Sequence, residues 1–580
     1  MRRALHNFRD WLEETHSTGF ELRRHFFRRF FDSDLVSTPG QWRVVAIGAL
    51  AILLSSSIIF AQAYYHKYRV LAELDSPEPF RLASIADALF LVTLSMFVIG
   101  LFTTLQWPLL FPGLRDYLAL AALPVRMRDV FVAKFTALIA FAGAFVVATT
   151  LPPSLFLPAM MAGQYAIPST VQIPATFVSC SLAALFILFL LVSVQGVLLN
   201  ILPAGQFARV SLAVQGTLLL VLLCGLPLVF SIPNLQNSMN QRPDWLVWVP
   251  PAWFLGLHQV MAGNHEPFAN RLAQISLTGV AAAIVAAVVT YLWSYRRHKV
   301  RLLESPAAPP KMERRSWLAE HASILIPDSS KLAVFAFIAK TLARSRQHRL
   351  VLTGFAAIAA ALIFDSFVTL SLDTSVHTFA ARTLALREAA ISAPLALSLF
   401  VLAGFRYLFR LPVELRANWV FRVNELGNRR TFLAAARQFL ICFAVAPVSL
   451  LTLPLEMRVL GPGIGIVAAI LCLLPPFTLM ELLLIHFEKI PFTSGYLPGR
   501  RPLIETLVIY GIAVIFYVSI LSTIVNWCLK SPPATLILFA ILLGAWWLAR
   551  RARREDWEFG KLEFEELPEP AVLTLSIQRD

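Results

Sequence analysis

Long apolar runs separated by short polar stretches dominate the hydrophobic pattern of this chain. A run of about 20 apolar residues is long enough to cross the hydrocarbon core of a bilayer as a helix. Such runs, numbered here as spans one to twelve, lie near residues 43–65, 82–106, 130–152, 171–201, 208–232 and 271–294, and then 350–372, 388–409, 432–455, 463–487, 503–526 and 533–549. The pattern predicts an all-α polytopic membrane protein with about twelve transmembrane helices.

The composition agrees with a membrane location. Hydrophobic residues make up 57% of the 580 residues, charged residues make up only 15%, and the mean hydropathy is +0.67. Soluble globular domains are much less apolar. The formal net charge is +15, but the basic residues lie beside the apolar runs, where Lys and Arg set the orientation of a membrane protein. We therefore expect membrane lipid, and no nucleic acid, as a partner.

Clusters of basic residues predict the topology, because short cytoplasmic loops retain Lys and Arg. In the first half of the chain the clusters precede span one and follow spans two and six. In the second half they precede span seven and follow spans eight, ten and twelve. The loops on the other side carry sparser basic residues, such as Lys67, Arg69 and Arg382, mixed with acidic ones. The pattern predicts a multi-pass protein of the cell membrane with both termini in the cytoplasm.

The sequence also predicts an internal duplication. The basic amphipathic stretch FELRRHFFRRFF precedes span one, and FAFIAKTLARSRQHR precedes span seven about 310 residues later, as in transporters built from long repeats. Six spans is an even number, so both halves begin and end in the cytoplasm and form two parallel six-helix repeats. We expect a first transmembrane half with its amphipathic helix at 1–301, a proline-rich cytoplasmic linker at 302–330, a second such half at 331–554 and a cytoplasmic tail at 555–580.

A charged amphipathic stretch follows the second span of each half. It reads RDYLALAALPVRMRDVFVAKF after span two and RANWVFRVNELGNRRTFLAAARQ after span eight. Both stretches place aromatic and aliphatic residues beside basic ones on the predicted cytoplasmic side. Such a helix suits the docking of a soluble partner, and it also suits a helix that rests on the lipid interface.

The first stretch resembles the coupling segment of ABC-transporter permeases of the type-2 exporter class. In that family an amphipathic elbow helix precedes the first span, and the loop between spans two and three carries a pattern like LxxLPVxxxDxxxAK that inserts into the ATPase subunit. Here the match is LALAALPVRMRDVFVAK, and in the second half Glu425-Leu426-Gly427 stands where Leu-Pro-Val is expected. The resemblance implies these ATPase-coupling residues: Tyr117, Leu118, Leu120, Pro124 and Asp129, and in the second half Trp419 and Phe421.

The resemblance implies a permease subunit of an ATP-binding-cassette exporter, in a bacterial inner membrane, that moves an unknown small or lipid-like substrate. The chain has no GxxxxGK[ST] phosphate loop, so cytoplasmic ABC ATPase subunits would hydrolyse the ATP and hold its Mg²⁺. No hydrolytic or redox constellation and no convincing metal-ligand spacing is present among the His, Cys and acidic residues. We therefore expect no enzyme activity and no directly bound cofactor or metal.

Acidic residues within apolar runs favour a different function. Glu481, Asp87 and Asp365 fall in spans ten, two and seven, and a charge in hydrocarbon costs about 3 kcal/mol or more. They are candidates for a transport pathway or for ion coupling, and an ion-coupled secondary transporter is the alternative function. Glu481 lies deepest in its run, where a structural hydrogen bond to a neighbouring helix would equally explain it. A membrane scaffold that transports nothing is a third possibility.

An aromatic segment lies between spans five and six. It is RPDWLVWVPPAWFLGLHQVMAG, in which Trp248, Trp253 and Phe254 surround Pro250 and Pro251. Tryptophan-rich segments of this kind are typical of the membrane interface. The family resemblance implies a second interpretation, in which short re-entrant helices here close the outer mouth of the pathway, so that these three aromatic residues form an external gate.

Overall fold

The computed structural model describes residues 19–27, 57–58, 61–74, 76–111, 126–161, 166–232, 244–304, 326–372, 379–411, 418–423, 429–487, 489–493, 509 and 511–559. Every regular element within these ranges is helical. The chain divides into two compact units, unit 1 being Met1–Pro309 and unit 2 being Pro310–Asp580. Each unit has its own clusters of buried apolar residues.

Unit 1 is built from long helices that follow the helical residues 19–27 and 61–72. Two short 3₁₀ turns, Trp107–Leu109 and Asp244–Trp248, lie between them. The helices are α1 (Pro77–Leu105), α2 (Met127–Met160), α3 (Ser169–Ile201), α4 (Ala204–Ser231), α5 (Pro250–Met261) and α6 (Pro267–Glu304).

Helix α3 is the centre of unit 1 and contacts α1, α2, α4, α5 and α6. Small residues allow this close packing. Ala183 and Ala184 are fully buried, and a Cβ added to Gly196 would lie 2.7 Å from the Cβ of Thr290 on α6. The side chain of Asn200 also donates to the Thr290 carbonyl at 3.1 Å. Polar contacts of this kind hold α3 against α6, where lipid supplies no hydrophobic driving force.

Unit 2 contains both long and short helices. They are α7 (Ser329–Arg344), α8 (Arg346–Leu372), α9 (Phe379–Leu408), α10 (Asn418–Val423), α11 (Arg429–Leu440), α12 (Ala446–Leu460), α13 (Pro462–Leu483), α14 (Leu521–Cys528) and α15 (Pro532–Phe559). The π-helical turn Ile441–Val445 joins α11 to α12, and a second one, Val514–Ile520, leads into α14.

Helix α9 is the centre of unit 2 and packs against α8, α12, α13 and α14. Its residues Ala390, Ile391 and Leu395 are fully buried. The π-helical turn between α11 and α12 has a local cause. Pro447, at the start of α12, has no N–H to close a regular bond to the carbonyl of Phe443, and π-helical turns are one of the usual ways to accommodate such a break.

Eleven helices among the described residues are long and apolar enough to cross a membrane, five in unit 1 and six in unit 2. They are Pro77–Leu105, Arg128–Met160, Ser169–Ile201, Gln206–Ser231, Pro267–Ser294, Arg346–Phe367, Arg382–Leu408, Arg430–Leu460, Pro462–Leu483, Gly511–Cys528 and Pro532–Glu558. Each overlaps one of the predicted spans two to twelve, which confirms an all-α polytopic membrane protein. Most of predicted span one, 43–65, lies outside the described residues.

Candidate functional site

The amphipathic segment 19–27 packs on the first turns of α2. Leu22 and Phe26 on one face are buried, while Arg23 on the other face is exposed. The ammonium nitrogen of Lys134 lies 4.8 Å from the centre of the Phe26 ring, and Lys134 itself is only 1% exposed. A cation over an aromatic face is favourable, more so when both groups are shielded from water. The segment is therefore fixed to the beginning of α2.

The end of α1 is also held by buried contacts. The Trp107 indole, which is fully buried, donates from Nε1 to Oγ of Ser211 on α4 at 2.9 Å. The Trp107 carbonyl accepts from Nε2 of Gln195 on α3 at 2.8 Å. Phe111 stacks on Tyr291 of α6 with the ring centres 4.8 Å apart. Buried contacts therefore hold the chain on both sides of residues 112–125, which carry the first eight residues of the LALAALPVRMRDVFVAK motif.

In unit 2 the amphipathic helix α7 packs against α11. The Phe335 ring lies 5.6 Å from that of Phe439, in an edge-to-face arrangement. Helix α7 begins at a definite point because Asp328 caps it, with its side chain accepting from the backbone N–H groups of Ser330 and Lys331. The contact joins α7 to the helix that begins within the second charged stretch.

The short helix α10 is anchored to α7 and α11 through one side chain. The ring centre of Phe421 lies 5.3 Å from that of Phe337 and 5.9 Å from that of Phe432. On the same helix Val420 is 41% exposed and Val423 is 67% exposed. Phe421 thus faces its own unit, and α10 leaves aliphatic side chains exposed.

The predicted coupling residues are described by the structure to different extents. Asp129 lies in the first turn of α2 and is exposed, where its charge suits the positive end of the helix dipole. Trp419 lies in α10 with a described backbone only. Four further coupling residues lie outside the described residues, namely Tyr117, Leu118, Leu120 and Pro124.

Glu481 is fully buried between two arginine side chains. Its Oε1 accepts from Nη2 of Arg437 at 2.8 Å and from Nε of the same side chain at 2.9 Å. Its Oε2 accepts from Nε of Arg553, whose guanidinium lies 4.1 Å from the centre of the Trp557 ring. The carboxylate thereby joins α11, α13 and α15. Both carboxylate oxygens accept hydrogen bonds from arginine side chains, so the arrangement is typical of a structural link between helices.

Two further polar contacts connect the same ends of these helices. Nη2 of Arg430 on α11 lies 3.3 Å from Oε1 of Glu558 on α15. His486, directly after α13, contacts Asp556 of α15 at 3.0 Å through both its ring Nδ1 and its backbone N–H. Helix α13 ends at Leu483, so Glu481 lies near the end of its helix, although it lies deep within its apolar run in the sequence.

Asp87 of α1 is also buried and paired. Its carboxylate accepts from Nζ of Lys67 at 2.7 and 2.9 Å and from the hydroxyl of Tyr68 at 2.8 Å. Burial, followed by the negative charge of Asp87, raises the pKa of Tyr68 above its ordinary value, so the phenol remains a donor. The cluster fixes the helical residues 61–72 to α1. Asp365, the third predicted acid, is exposed on α8.

Sequence reasoning missed a fourth acid, Glu456 of α12. It is 1% exposed, and its Oε2 has no hydrogen-bond partner in the part of the chain that the structure describes. The close approach of α12 and α13 buries it, because a Cβ on Gly465 would lie 2.7 Å from Cα of Met457. The one signal in the sequence was a glutamate directly after the apolar run 432–455, and that position resembles an ordinary polar helix end.

The three aromatic residues of the predicted gate have different environments. Phe254 of α5 is fully buried with its ring 5.8 Å from that of Phe186 on α3. Trp253 packs on the same phenylalanine at 5.7 Å and donates from Nε1 to the Val247 carbonyl at 2.6 Å. Trp248 is 85% exposed. Helix α5 has 12 residues, too few to cross a bilayer, so it lies as a short helix against α3 and α6.

Within the described ranges, no three His, Cys, Asp or Glu side chains gather closely enough to hold a metal ion. No protein-family model, curated protein or solved structure matches this chain.

Proposed function

We propose that the chain is the transmembrane permease subunit of an ATP-binding-cassette exporter, which moves a small or lipid-like substrate while separate cytoplasmic ATPase subunits hydrolyse ATP. One observation carries the proposal. In each unit an amphipathic helix packs on the helix that begins within the charged stretch, through Phe26 and Lys134 in unit 1 and through Phe335 and Phe439 in unit 2. The motif from Leu118 to Lys134 supplies the docking surface.

The contacts suit the transmission of force. A partner that displaces residues 112–125 acts on two anchored points, the Trp107 turn after α1 and the start of α2 beneath Phe26. Buried packing resists continuous deformation, so the displacement would move α1 and α2 as bodies rather than deform the connection. Conformational coupling of this kind needs a rigid element with alternative positions, and the proposal assigns that part to α1 together with α2.

The same pairing of elements supports a parallel duplication. Segment 19–27 on α2 and α7 on α11 occupy equivalent places in the predicted order of spans. A two-repeat permease with an even number of spans in each half has both termini and the linker 302–330 in the cytoplasm. The basic residues beside the spans support this orientation, and a location in a bacterial inner membrane is proposed from the family resemblance alone. Labelling from outside intact cells should then reach a cysteine at Gly263 and miss one at Ser316.

The proposal gives the three aromatic residues of the predicted external gate different roles. Helix α5 would close the outer mouth, with Phe254 and Trp253 as the anchors that hold it on Phe186. Trp248 would be the exposed residue that contacts the membrane interface or the substrate. Aromatic side chains of this type have an apolar body and, in tryptophan, a polar N–H that tolerates a partly wet site.

Glu456 favours a second candidate function, an ion-coupled secondary transporter. Among the described residues no cation pairs with the buried carboxyl group of Glu456. An uncompensated carboxyl group is costly in a membrane helix, and such groups are typical of proton or cation paths. The carboxylates of Glu481 and Asp87 are paired with basic side chains, which makes them less suited to carry a proton or a transported cation. In this alternative Glu456→Gln abolishes transport and no ATPase takes part.

Purification of the tagged full-length chain from native membranes in mild detergent separates the two functions. The exporter proposal predicts that a protein with a GxxxxGK[ST] phosphate loop co-purifies in stoichiometric amount, that the eluate hydrolyses Mg·ATP, and that Glu456→Gln preserves both. Absence of any ATP-hydrolysing partner, together with loss of transport in Glu456→Gln, would transfer the assignment to the ion-coupled transporter.

A further inference from the structure

A cleft of about 280 Å³ lies within unit 1, at the end where α1, α3 and α6 begin. Apolar side chains from α1, α5, α6 and the 3₁₀ turn before α5 form most of its wall, among them Leu82, Ile85, Leu246, Leu255, Phe268 and Leu272. Pockets that bind small molecules are usually lined by apolar residues with a few convergent polar groups, and this volume lies just below their usual range of about 300–1,000 Å³. The cleft therefore has room for a small molecule.

Gln172 of α3 is one of the polar groups that line the cleft, and it is only 5% exposed. Its side-chain amide donates to the sulfur of Met161 at 3.2 Å, and a thioether is a weak acceptor. This is the only side-chain hydrogen bond that Gln172 makes with the described residues. A buried amide with so weak a partner is costly unless another group bonds to it.

His258 of α5 is the second buried polar group of the cleft, at 7% exposed. The Thr176 hydroxyl donates to the Gln172 carbonyl at 2.8 Å, one turn earlier in α3. A hydroxyl has a single hydrogen, so in the contact of 3.2 Å between Thr176 and Nε2 of His258 the imidazole is the donor. The ring thus carries its proton on Nε2, and Nδ1 is an acceptor. Burial lowers the pKa of His258 to about 4, so the ring is neutral at physiological pH.

The charged side chains of the cleft wall balance each other. Arg81 of α1 and Glu266 before α6 carry opposite charges, and the remaining polar groups are uncharged, namely the hydroxyl of Ser84 and the amides of Gln259 and Asn264. A wall without net charge gives no electrostatic preference for an anionic or cationic ligand. The amide oxygen of Gln172 and Nδ1 of His258 instead favour a ligand that donates hydrogen bonds.

We propose that this cleft is a binding site for a small amphipathic molecule with a neutral, hydroxyl-bearing head. The head donates to Gln172 and His258, and the apolar body packs against the side chains of α1, α5 and α6. Single-chain glycosides and monoacylglycerols share this chemistry. The site is complete within unit 1 and does not depend on coupling to an ATPase, so it goes beyond the proposed function.

The test uses an alkyl glucoside with an octyl chain that carries a diazirine, photolysed with the full-length chain in lipid nanodiscs. Label is mapped by mass spectrometry. We expect it to concentrate in residues 244–272. An excess of octyl glucoside or of monooleoylglycerol should displace it, the first as a soluble amphiphile and the second as a lipid, whereas octyltrimethylammonium at the same concentration should not. Displacement by either hydroxylated compound supports the site, and equal displacement by the ammonium compound overturns it.

Three variants separate the cleft from the general membrane surface. Leu255→Trp fills the cleft and should lower labelling of 244–272 by about fivefold or more, and Gln172→Leu should do so by a similar factor through loss of an acceptor. Leu277→Trp is the matched control, because Leu277 is 51% exposed on α6 outside the cleft, and it should leave labelling unchanged. If Leu255→Trp fails to fold, Gln172→Leu decides the matter. Undiminished labelling in a folded Gln172→Leu variant contradicts the proposal.

Discussion

The ammonium nitrogen of Lys134 lies 4.8 Å from the centre of the Phe26 ring, and both side chains are almost completely buried. This contact places the amphipathic segment that precedes the membrane spans directly against α2. Helix α2 begins at Met127, within the charged stretch, and Lys134 is the last residue of the motif, so the contact joins the two amphipathic parts of the sequence.

Phe26→Ala should lower the free energy of unfolding of unit 1 by about 3 kcal/mol, since the ring is fully buried and its removal leaves a cavity beside Lys134. Arg23→Ala in the same segment is the control, because Arg23 is exposed and such changes stay within about 0.5 kcal/mol. Thermal unfolding of the purified protein in detergent measures both. Equal melting temperatures for the two variants would show that the segment is not held on α2.

Glu481→Gln should destabilise unit 2 by about 3–5 kcal/mol, because it leaves the buried guanidinium of Arg553 without its counter-charge. The matched control is Glu555→Gln, which removes an exposed pair with Arg551 on α15 and should cost about 0–1 kcal/mol. Unfolding of each variant is followed by tryptophan fluorescence. A Glu481→Gln variant with unchanged stability and abolished transport would mean that the carboxylate serves ion coupling after all.

The stability of unit 1 should decrease as the pH falls from about 6.5 towards about 4. The folded-state pKa of His258 is about 4 because the ring is buried, whereas the unfolded value is about 6.5, so the unfolded chain binds more protons in this window. The contribution of His258 to the free energy of unfolding is therefore fully present above about pH 6.5, and about 3 kcal/mol of it is lost by pH 4.

His258→Gln should reduce this pH dependence, and His265→Gln, at an exposed position nearby, should preserve it. Melting temperatures measured from pH 7 to pH 4 for the three proteins provide the comparison. An identical slope in the wild type and in His258→Gln would refute the burial argument.

Gly256→Ala should destabilise the packing of α5 on α6. A Cβ at this position would lie 2.3 Å from Cβ of Leu272 and 3.0 Å from the Ala269 carbonyl oxygen, so the helices would have to separate at a cost of about 1–3 kcal/mol. At Gly279 of α6 the nearest atom would be at 3.5 Å, an ordinary contact, and alanine there should be neutral or slightly stabilising. Protease sensitivity of the turn at Gly263 should rise in the first variant alone.

The spans were predictable from the sequence because the thickness of the bilayer sets the length of each apolar run. The eleven described spans follow from that single constraint. The roles of the acidic residues were not predictable, since the partners of Glu481 lie 44 and 72 residues away in the sequence and meet it only through helix packing. Glu456 falls one residue beyond its apolar run, and only the close approach at Gly465 buries it.

The positions and buried faces of the short helices could be predicted from the sequence only in part. Pro250 and Pro251 mark the start of α5, as proline at the first helical positions usually does, but the burial of Phe254 against α3 depends on tertiary contacts. For α10, the aromatic pattern drew attention to Phe421, which packs inward on Phe337 and Phe432. Nothing in a six-residue stretch indicates which face of the helix is covered.

The central claim is that cytoplasmic ATPase subunits dock on the stretch between α1 and α2. The most direct measurement is the amount of phosphate-loop ATPase that co-purifies with Tyr117→Asp/Leu120→Asp, relative to wild type and to Trp248→Asp, an exposed position on the predicted outer side. Buried apolar anchors at an interface usually contribute about 2 kcal/mol or more each. We predict that the double variant inserts normally and loses the ATPase, while Trp248→Asp retains it. Full ATPase recovery with the double variant would contradict the account.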